Sequence, residues 1–336
     1  MKKIIINEND ANKRLDKFIC KTFPNIPESL AQKYIRKKRI KLNGKKAEHN
    51  SKLNCGDVLE LYINDEFFEK PDYFEDFKKS PKNLDIIYED ENIILVNKKP
   101  GLIVHPDKNI QIDCLINRIK NYLFAKGEYN PSSENSFAPA LVNRLDRNTS
   151  GIVIAAKNAV ALNILNEKMK ARELEKKYIC IILGNMAQPE GILRGYLEKN
   201  SAENKVYINK KSTRKNSEKT VLTKYSVIAQ SKKFSLLEVT LLTGRTHQIR
   251  AHFASVGHPI LGDSKYGQNE TNRKQKYKYQ ALCSYKLKFK FETSAGILDY
   301  LNEKEFSINP DNIWFVNDFY NNLKQIRIEK IAKTSL

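Results

Sequence analysis

A single aspartate stands between two arginines in the segment Asn143-Arg144-Leu145-Asp146-Arg147-Asn148-Thr149-Ser150-Gly151. Turn-forming residues follow it, and the apolar run Ile152 to Ala156 comes next. Neighbouring guanidinium groups keep a carboxylate ionised, and an ionised carboxylate can attack an electrophile, as in enzymes that transfer glycosyl groups. Asp146 is therefore the candidate nucleophile. The alternative is an aspartate that only accepts backbone hydrogen bonds in a turn before a strand.

A second polar segment, Leu-Thr-Gly-Arg-Thr-His-Gln-Ile-Arg, spans residues 242–250. Gly244 allows a sharp turn out of the preceding strand, and Thr246 is predicted to cap the helix that follows. Arg245 would then project from a strand-to-helix junction. A third segment, Glu-Lys-Lys-Tyr, places Tyr178 at the start of another predicted strand. These segments lie at strand ends, where sheets commonly assemble functional sites.

The elements that must position these residues belong to a large domain, predicted over residues 85–336. Its predicted strands are Ile93–Lys98, Ile152–Ala156, Lys177–Leu183, Phe234–Leu242 and Leu282–Phe291, the last one a half-exposed edge strand. Its predicted helices are Asp113–Leu123, Asn158–Leu174 with an Asn158 cap, Thr246–Val256 and the C-terminal Asn312–Lys330. Strands outnumber helices without strict alternation. This indicates an α+β fold with a mixed, mainly antiparallel sheet and flanking helices.

Residues 1–63 are predicted to form a separate small α/β unit with two short helices and a hairpin that turns at Asn43-Gly44. The predicted hairpin strands are Ile40–Leu42 and Val58–Leu61. Basic residues crowd one edge of this unit: Lys33, Arg36, Lys37, Lys38, Arg39, Lys41, Lys45 and Lys46. Such a cluster is typical of a module that binds the RNA backbone. The alternative is a solvated basic face. Residues 64–84 form an acidic linker, and its aromatic residues are expected to pack on the larger domain.

The composition points to the same kind of partner. The 336 residues include 59 basic and 39 acidic side chains, for a formal charge of +20. Binding to a polyanion, most simply a nucleic acid, would use this excess, although a lysine-rich genome could also produce it. Five dispersed cysteines without metal-ligand spacing favour a reduced, cytoplasmic protein. The longest apolar runs are too short for a membrane span. We expect no metal, no membrane partner and a monomer.

Together the three motifs resemble those of the RluA-type family of pseudouridine synthases, which modify large-subunit ribosomal RNA. The family signature is His-Arg-Leu-Asp-x-x-Thr-Ser-Gly, then Lys-Lys-Tyr or Lys-x-Tyr, then Thr-Gly-Arg-x-His-Gln-Ile-Arg. The likeness covers most of the chain, and the leading unit resembles the small RNA-binding domain often appended to this family. The resemblance implies an isomerase that converts uridine to pseudouridine without a cofactor.

The resemblance also implies site residues. Asp146 matches the catalytic aspartate, Arg245 the arginine that pairs with it, and Tyr178 the tyrosine that packs on the target base and is a candidate acceptor of its carbon-5 proton. Arg144 matches the arginine that helps to displace the flipped nucleotide. The other implied contacts are substrate-binding Lys177, Thr149 and His247. The expected RNA-binding residues come from the basic edge of the small unit and are Arg36, Lys37, Lys38 and Arg39.

Two positions depart from the family pattern. Asn143 replaces the usual histidine and Asn148 the usual acid; we expect Asn143 to keep a hydrogen-bonding role. The aspartate could add to the base, capture the anomeric carbon or remove the 2′ proton, and each route requires a uridine extruded from the RNA stack. Two other functions stay open: a non-catalytic RNA-binding or ribosome-assembly factor, and a pseudouridine synthase that acts on transfer RNA.

Overall fold

A computed structural model describes residues 1–69, 72–200, 202–203, 205–212, 218–267 and 277–321. Within these residues the chain forms a four-stranded sheet near its N-terminus and a much larger sheet after it. No helix in the described part of the chain is both long and apolar enough to cross a membrane.

The small N-terminal unit packs two helices against an antiparallel sheet of strand order β1-β4-β2-β3. Its elements are β1 Lys2–Ile5, α1 Leu15–Thr22, α2 Glu28–Arg36, β2 Ile40–Leu42, β3 Lys45–Lys46 and β4 Val58–Leu61. The tight turn is present, with Asn43 at φ 52° and Gly44 at φ 73°. It joins β2 to the short strand β3, which the sequence did not predict. Strand β4, the predicted second hairpin strand, pairs with both β1 and β2.

The linker makes two short 3-10 segments, Asp65–Phe68 and Asp72–Lys79. The ring centroids of Phe68 and Phe23 are 5.2 Å apart, so this linker aromatic packs on the small unit. Phe67 packs there too, against Tyr34. The expectation that both would pack on the larger domain is therefore wrong, because the small unit offers aromatic partners of its own. Phe77 does enter the core of the larger domain.

Polar contacts hold the small unit against the larger domain. The amides of Asn7 and Asn9 donate to the Glu134 carboxylate at 3.3 and 2.8 Å. Asp10, which is fully buried, accepts a hydrogen bond from the Ser136 hydroxyl. Buried carboxylates need such donors, since desolvation is costly without them. These contacts fix the basic edge of the small unit relative to the large sheet.

The larger domain is built on one long sheet of order β11-β10-β12-β13-β9-β14-β8-β6-β5, with β15 on β14 and β7 on β8. Its strands are β5 Ile86–Glu89, β6 Ile93–Lys98, β7 Ala140–Leu141, β8 Ser150–Ala156, β9 Leu174–Leu183, β10 Glu190–Asn200, β11 Lys205–Asn209, β12 Lys219–Gln230, β13 Phe234–Leu241, β14 Leu282–Phe289 and β15 Glu305–Ser307. Its helices are α3 Leu115–Ala125, α4 Ala159–Ala171 and α5 Gln248–Ser255. Within the described residues β14 and β8 are the parallel neighbours. The predicted mixed, mainly antiparallel α+β fold is confirmed.

Helices cover both faces of this sheet. Alternate residues of β6 point to opposite faces, as the period of a strand requires. Ile93 and Leu95 join the core under α4, whereas Ile94 and Val96 join the core under α3 and α5. The candidate nucleophile loop lies on the side of α3 and α5.

Two predicted elements differ from the structure. Strand β14 was predicted at an edge, but it lies between β9 and β8 and is largely buried. The alternating lysines suggested an exposed edge. They are instead accommodated at one end of the strand, where Lys286 pairs with Glu305 and Lys288 with Glu303. The predicted C-terminal helix is helical over residues 314–321, and the rest of it lies outside the described residues.

Candidate active site

The loop that carries Asp146 connects β7 to β8 and is held at both of its ends. The Thr149 amide donates to the Asp146 carbonyl at 3.1 Å, which closes a turn. Downstream, Gly151 has φ 116°, and a Cβ there would collide with the backbone of Ser284. Only glycine allows β8 to approach β14 so closely. The position of the nucleophile loop is therefore set by the pairing of these two strands.

Asn143 anchors the upstream end of the same loop. Its amide donates to the Ile152 carbonyl at 3.2 Å, and its side-chain oxygen accepts from the Ile154 amide at 2.8 Å. Both bonds are buried, so they replace backbone pairing that β8 would otherwise lack. The expected hydrogen-bonding role of Asn143 is confirmed, and it is a bond to the strand rather than to the nucleophile.

The Asp146 carboxylate forms an ion pair with Arg250, whose Nη1 lies 2.6 Å from Oδ2. The Asp146 side chain is 26% exposed, whereas the Arg250 side chain is 8% exposed. The guanidinium also forms a bidentate pair with Asp263, with Nε and Nη2 at 2.7 and 2.9 Å from its two oxygens. Bidentate pairing fixes the plane of a guanidinium. The buried carboxylate of Asp263 thus orients Arg250, and Arg250 contacts the solvent-accessible carboxylate of Asp146.

The sequence pointed to Arg245 as this partner, and that pairing is wrong. Within the described residues, Arg250 is the arginine that contacts Asp146, while Arg245 is exposed. The reason lies in where the helix begins. Helix α5 begins at Gln248 and its N-cap is His247, with φ 53°, not Thr246. This start turns Arg250 inward beside the buried Ile249, and leaves Arg245 outside the first turn.

Asp263 and Tyr266 complete the surroundings of Arg250, and the sequence did not indicate either of them. Asp263 is fully buried and accepts backbone hydrogen bonds from Lys265 and Tyr266. Burial lowers the pKa of Arg250, but the hydrogen bonds and charges of Asp263 and Asp146 outweigh it, so the net shift is upward. The Tyr266 ring lies 5.2 Å from the guanidinium carbon, a cation–π distance. A signal existed: Asp263 is a carboxylate that follows Gly262 at the end of the apolar pair Ile260-Leu261.

His247 lies beside the same carboxylate. Its Nε2 is 3.9 Å from Asp146 Oδ1, and its Nδ1 is 3.0 Å from the Tyr266 hydroxyl. Burial lowers the pKa of His247, although the charge of Asp146 opposes that shift. A histidine with a lowered pKa is neutral at neutral pH. His247 therefore offers a hydrogen bond near Asp146 rather than a second positive charge.

Tyr178 is buried on β9, on the face that carries Asp146. It is the fifth residue of the strand rather than near its start, because β9 begins at Leu174. Burial raises the pKa of Tyr178 to about 12, the charge of Asp146 adds to the shift, and a hydrogen bond with Ser284 opposes it. The phenol is therefore protonated at neutral pH.

Lys98, at the end of β6, is a buried lysine that sequence reasoning did not single out. Its Nζ donates to the carbonyls of Lys99, Leu102 and Arg147 at 3.1, 2.8 and 3.0 Å. Three acceptors match the three donors of an ammonium group. Burial lowers the pKa of Lys98 to about 7, and the charge of Asp146 opposes this shift. Lys98 thus ties β6 to the residue that follows the nucleophile.

Two of the implied substrate contacts point elsewhere. Lys177 pairs with Glu238 at 2.9 Å, and it lies on the opposite face of β9 from its neighbour Tyr178, because successive strand residues alternate. Thr149 is 3% exposed and its hydroxyl accepts a bond from Gln280. Both side chains are therefore occupied by structural bonds. Arg144, in contrast, is exposed. The pKa of His105 is lowered, first by the burial of His105 and then by the positive charge of Arg144.

The predicted RNA contacts of the small unit lie together at the end of α2. Arg36, Lys37, Lys38 and Arg39 are all exposed. The guanidinium carbon of Arg39 lies 5.9 Å from the centroid of the Tyr34 ring. The cluster thus presents four cationic heads to solvent.

Chemically, the site combines a solvent-accessible carboxylate, a rigid guanidinium and a neutral phenol. Fixed charge in a partly dry pocket stabilises charge that develops during a reaction. A carboxylate held in this way can act as a nucleophile or a base. In the residues that the structure describes, no group of three or more His, Cys, Asp or Glu side chains is arranged to hold a metal ion.

Comparison with known proteins agrees with the resemblance of the motifs and extends it over most of the chain. The model of the RNA pseudouridylate synthase family matches residues 92–255, and that of the S4 domain matches residues 13–59. A Mycoplasma capricolum protein named "Uncharacterized RNA pseudouridine synthase" is 37% identical over 316 residues, which are 93% of this chain and 98% of the relative. The ribosomal large subunit pseudouridine synthase C of Buchnera aphidicola from Schizaphis graminum is 29% identical, over 94% of this chain and 95% of the relative.

A solved structure is also similar. Human RNA pseudouridylate synthase domain containing 1 superposes with a TM-score of 0.51 at 23% identity, covering 67% of this chain and 83% of that one. At this identity the likeness concerns the fold.

Proposed function

Because the chain belongs to the RNA pseudouridylate synthase family, whose members are isomerases, we propose that it isomerises uridine in large-subunit ribosomal RNA with Asp146 as nucleophile. One observation supports this most directly. The Asp146 carboxylate is reachable from solvent and held at 2.6 Å by the buried guanidinium of Arg250. Such a carboxylate is oriented before the substrate arrives, which lowers the cost of reaching the transition state.

The reaction needs only acid, base and nucleophile chemistry. The bond between N1 of uracil and C1′ of ribose breaks, and a bond from C5 to C1′ forms. C5 loses one proton and N1 ends with one, so no oxidant, reductant or other group is consumed. Asp146 could add to the base, capture C1′ or take the 2′ proton, and all three routes use the same placement of its oxygen.

The neighbouring residues receive roles in this proposal. Arg250 orients Asp146 and stabilises its charge, the role that the motif resemblance gave to Arg245. The ring of Tyr178 packs on the uracil, and its hydroxyl relays the C5 proton. Arg144 occupies the space that the extruded nucleotide leaves in the RNA stack. His247 donates a hydrogen bond to the bound nucleotide.

Ribosomal RNA is the proposed substrate for three reasons. Relatives from Buchnera aphidicola are named ribosomal large subunit pseudouridine synthases C and D. The small unit matches the S4 domain and exposes the basic cluster Arg36 to Arg39. The chain also carries a formal charge of +20, which suits a long polyanion.

The test is tritium release from 5-tritiated uridine in transcripts of large-subunit ribosomal RNA and, separately, of transfer RNA. The unmodified protein should release tritium from the ribosomal transcript. Asp146→Asn should lower kcat by about 10³-fold or more, as expected on loss of a nucleophile, whereas Asp311→Asn, at an exposed aspartate, should not. Release by Asp146→Asn at the normal rate would exclude the nucleophile. Release from transfer RNA alone would exclude the proposed substrate.

A further inference from the structure

We infer that a cavity beside the Asp146 loop binds a nucleotide that adjoins the target uridine in the same RNA strand. This inference rests on the proposed function, because it assumes that an RNA strand reaches Asp146. The cavity has a volume of about 700 Å³. Pockets that bind small ligands usually measure about 300 to 1,000 Å³, so a single nucleotide is a suitable occupant.

The cavity shares a wall with the candidate active site. Lys98 lines it, while the Lys98 ammonium is bonded to the carbonyl of Arg147 at 3.0 Å and feels the charge of Asp146. Arg147 also lines it, and its Nε donates to the Gly101 carbonyl at 3.2 Å. Asp146 and Arg147 are consecutive residues. An RNA strand that places its target uridine at Asp146 therefore places the adjoining nucleotide beside Arg147.

The walls of the cavity suit a base. Leu102, Ile103 and Leu115 supply apolar surface, and the Tyr279 ring lies at the side next to Gly101. Gly101 has φ 90°, and a Cβ there would be 3.0 Å from the Tyr279 hydroxyl, so glycine lets the loop pass under the ring. Stacking on aromatic and apolar side chains is how proteins hold unpaired bases without reading their sequence.

The charges suit a phosphate at the mouth of the cavity. Arg118 is neutralised by Asp113, with bonds of 2.6 and 2.9 Å. Lys99 is exposed and Arg147 bonds to a carbonyl, and neither has a carboxylate within ion-pair distance in the described part of the chain. Apart from the Arg118–Asp113 pair, Lys99, Arg147 and Asp85 are charged residues of the lining, so two cations face one carboxylate and the excess is positive. A positive excess beside apolar walls suits one nucleotide, with its phosphate outside and its base inside.

Photo-crosslinking tests the location. The full-length Asp146→Asn protein is irradiated with a large-subunit ribosomal RNA transcript in which 4-thiouridine replaces uridine, and nucleotide-bearing peptides are identified by mass spectrometry. We expect adducts on residues 99–103 or on Tyr279. These adducts should still form when uridine 5′-monophosphate is added at 1 mM as a competitor. Adducts confined to the surroundings of Tyr178 and His247 would overturn the inference. So would complete competition by the free nucleotide, because the site would then not depend on the strand.

Kinetics with the active protein supply the second test. Leu102→Trp fills the cavity and should raise KM about 5-fold or more, the value of one stacked base, with kcat unchanged. Ile297→Trp is the control, since Ile297 is 48% exposed and lies in the 3-10 segment Gly296–Leu301, whose Leu298 belongs to the core on the other face of the sheet. Thermal melting checks that both variants are folded. A Leu102→Trp protein that is folded and has the KM of the unsubstituted enzyme would refute the inference.

Charge gives a third readout that does not disturb packing. Lys99→Gln should reduce the slope of log KM against log salt by about one, as for one lost phosphate contact. Lys170→Gln, an exposed lysine on α4, should leave the slope unchanged. An unchanged slope in Lys99→Gln would contradict the placement of the phosphate. Failure of the proposed function is recognised separately, because the unsubstituted enzyme would then release no tritium from the transcript.

Discussion

Replacing Arg250 by methionine should separate what this residue does for stability from what it does for catalysis. The substitution leaves Asp263, which is fully buried, without its bidentate guanidinium. Breaking a buried ion pair costs about 3 to 5 kcal/mol. At about 2 to 4 °C per kcal/mol for a domain of this size, Arg250→Met should melt roughly 6 to 20 °C below the unsubstituted protein.

The double variant Arg250→Met/Asp263→Asn removes the buried negative charge as well. It should recover most of the lost stability, because replacing both members of a buried pair by neutral groups is often nearly neutral. It should not recover activity. Asp146 still lacks the 2.6 Å bond to Arg250, and a hydrogen bond to a charged group contributes about 1.5 to 3 kcal/mol. The expected loss of kcat is therefore about 10- to 150-fold in both variants, measured by tritium release.

Two controls make the result specific. Lys168→Met breaks the buried pair with Glu173, at 2.7 Å under the other face of the sheet. It should lower the melting temperature by a similar amount without changing kcat. Arg245→Met changes the exposed arginine of the same motif and should alter kcat by less than about threefold. Normal kcat in Arg250→Met together with a large loss in Arg245→Met would refute the geometric argument and restore the pairing inferred from the motif.

Three further results follow from the same structure. Tyr178→Phe should keep KM within about twofold, because the ring face remains, but lower kcat by at least about tenfold, because the hydroxyl is lost; normal tritium release would restrict this residue to packing. Lys98 has its pKa lowered to about 7, so between pH 7 and its ordinary value of 10.5 the unfolded chain binds a proton that the folded chain lacks. Stability relative to Lys98→Met should therefore decrease as pH is lowered from 10.5 to 7, by up to about 1.4 kcal/mol per pH unit in urea unfolding, and should not change further below pH 7; a flat difference between pH 7 and 10.5 would contradict the shift. Arg36→Gln/Arg39→Gln should reduce the salt slope of RNA binding by about two and leave kcat at saturation unchanged; an unchanged slope would remove this cluster from the RNA interface.

Much of the local structure follows from the sequence alone. Strand β6 and strand β4 have the predicted bounds, because short apolar runs between turn residues define a strand locally. Asn158 caps α4 as predicted, with its side chain 2.8 Å from the Ala161 amide. The motifs around Asp146 and residues 242–250 also identified the family, since each motif is a contiguous stretch of chain.

Which side chain meets Asp146 was decided only by the tertiary structure. Arg245 and Arg250 stand in one motif, and the choice between them depends on α5 beginning at Gln248, which periodicity does not fix to the residue. Asp146 and Arg250 are 104 residues apart in the chain. Their contact exists because the strands and helices between them pack in one particular order. No local pattern encodes that order, which is also why the central place of β14 was not predicted.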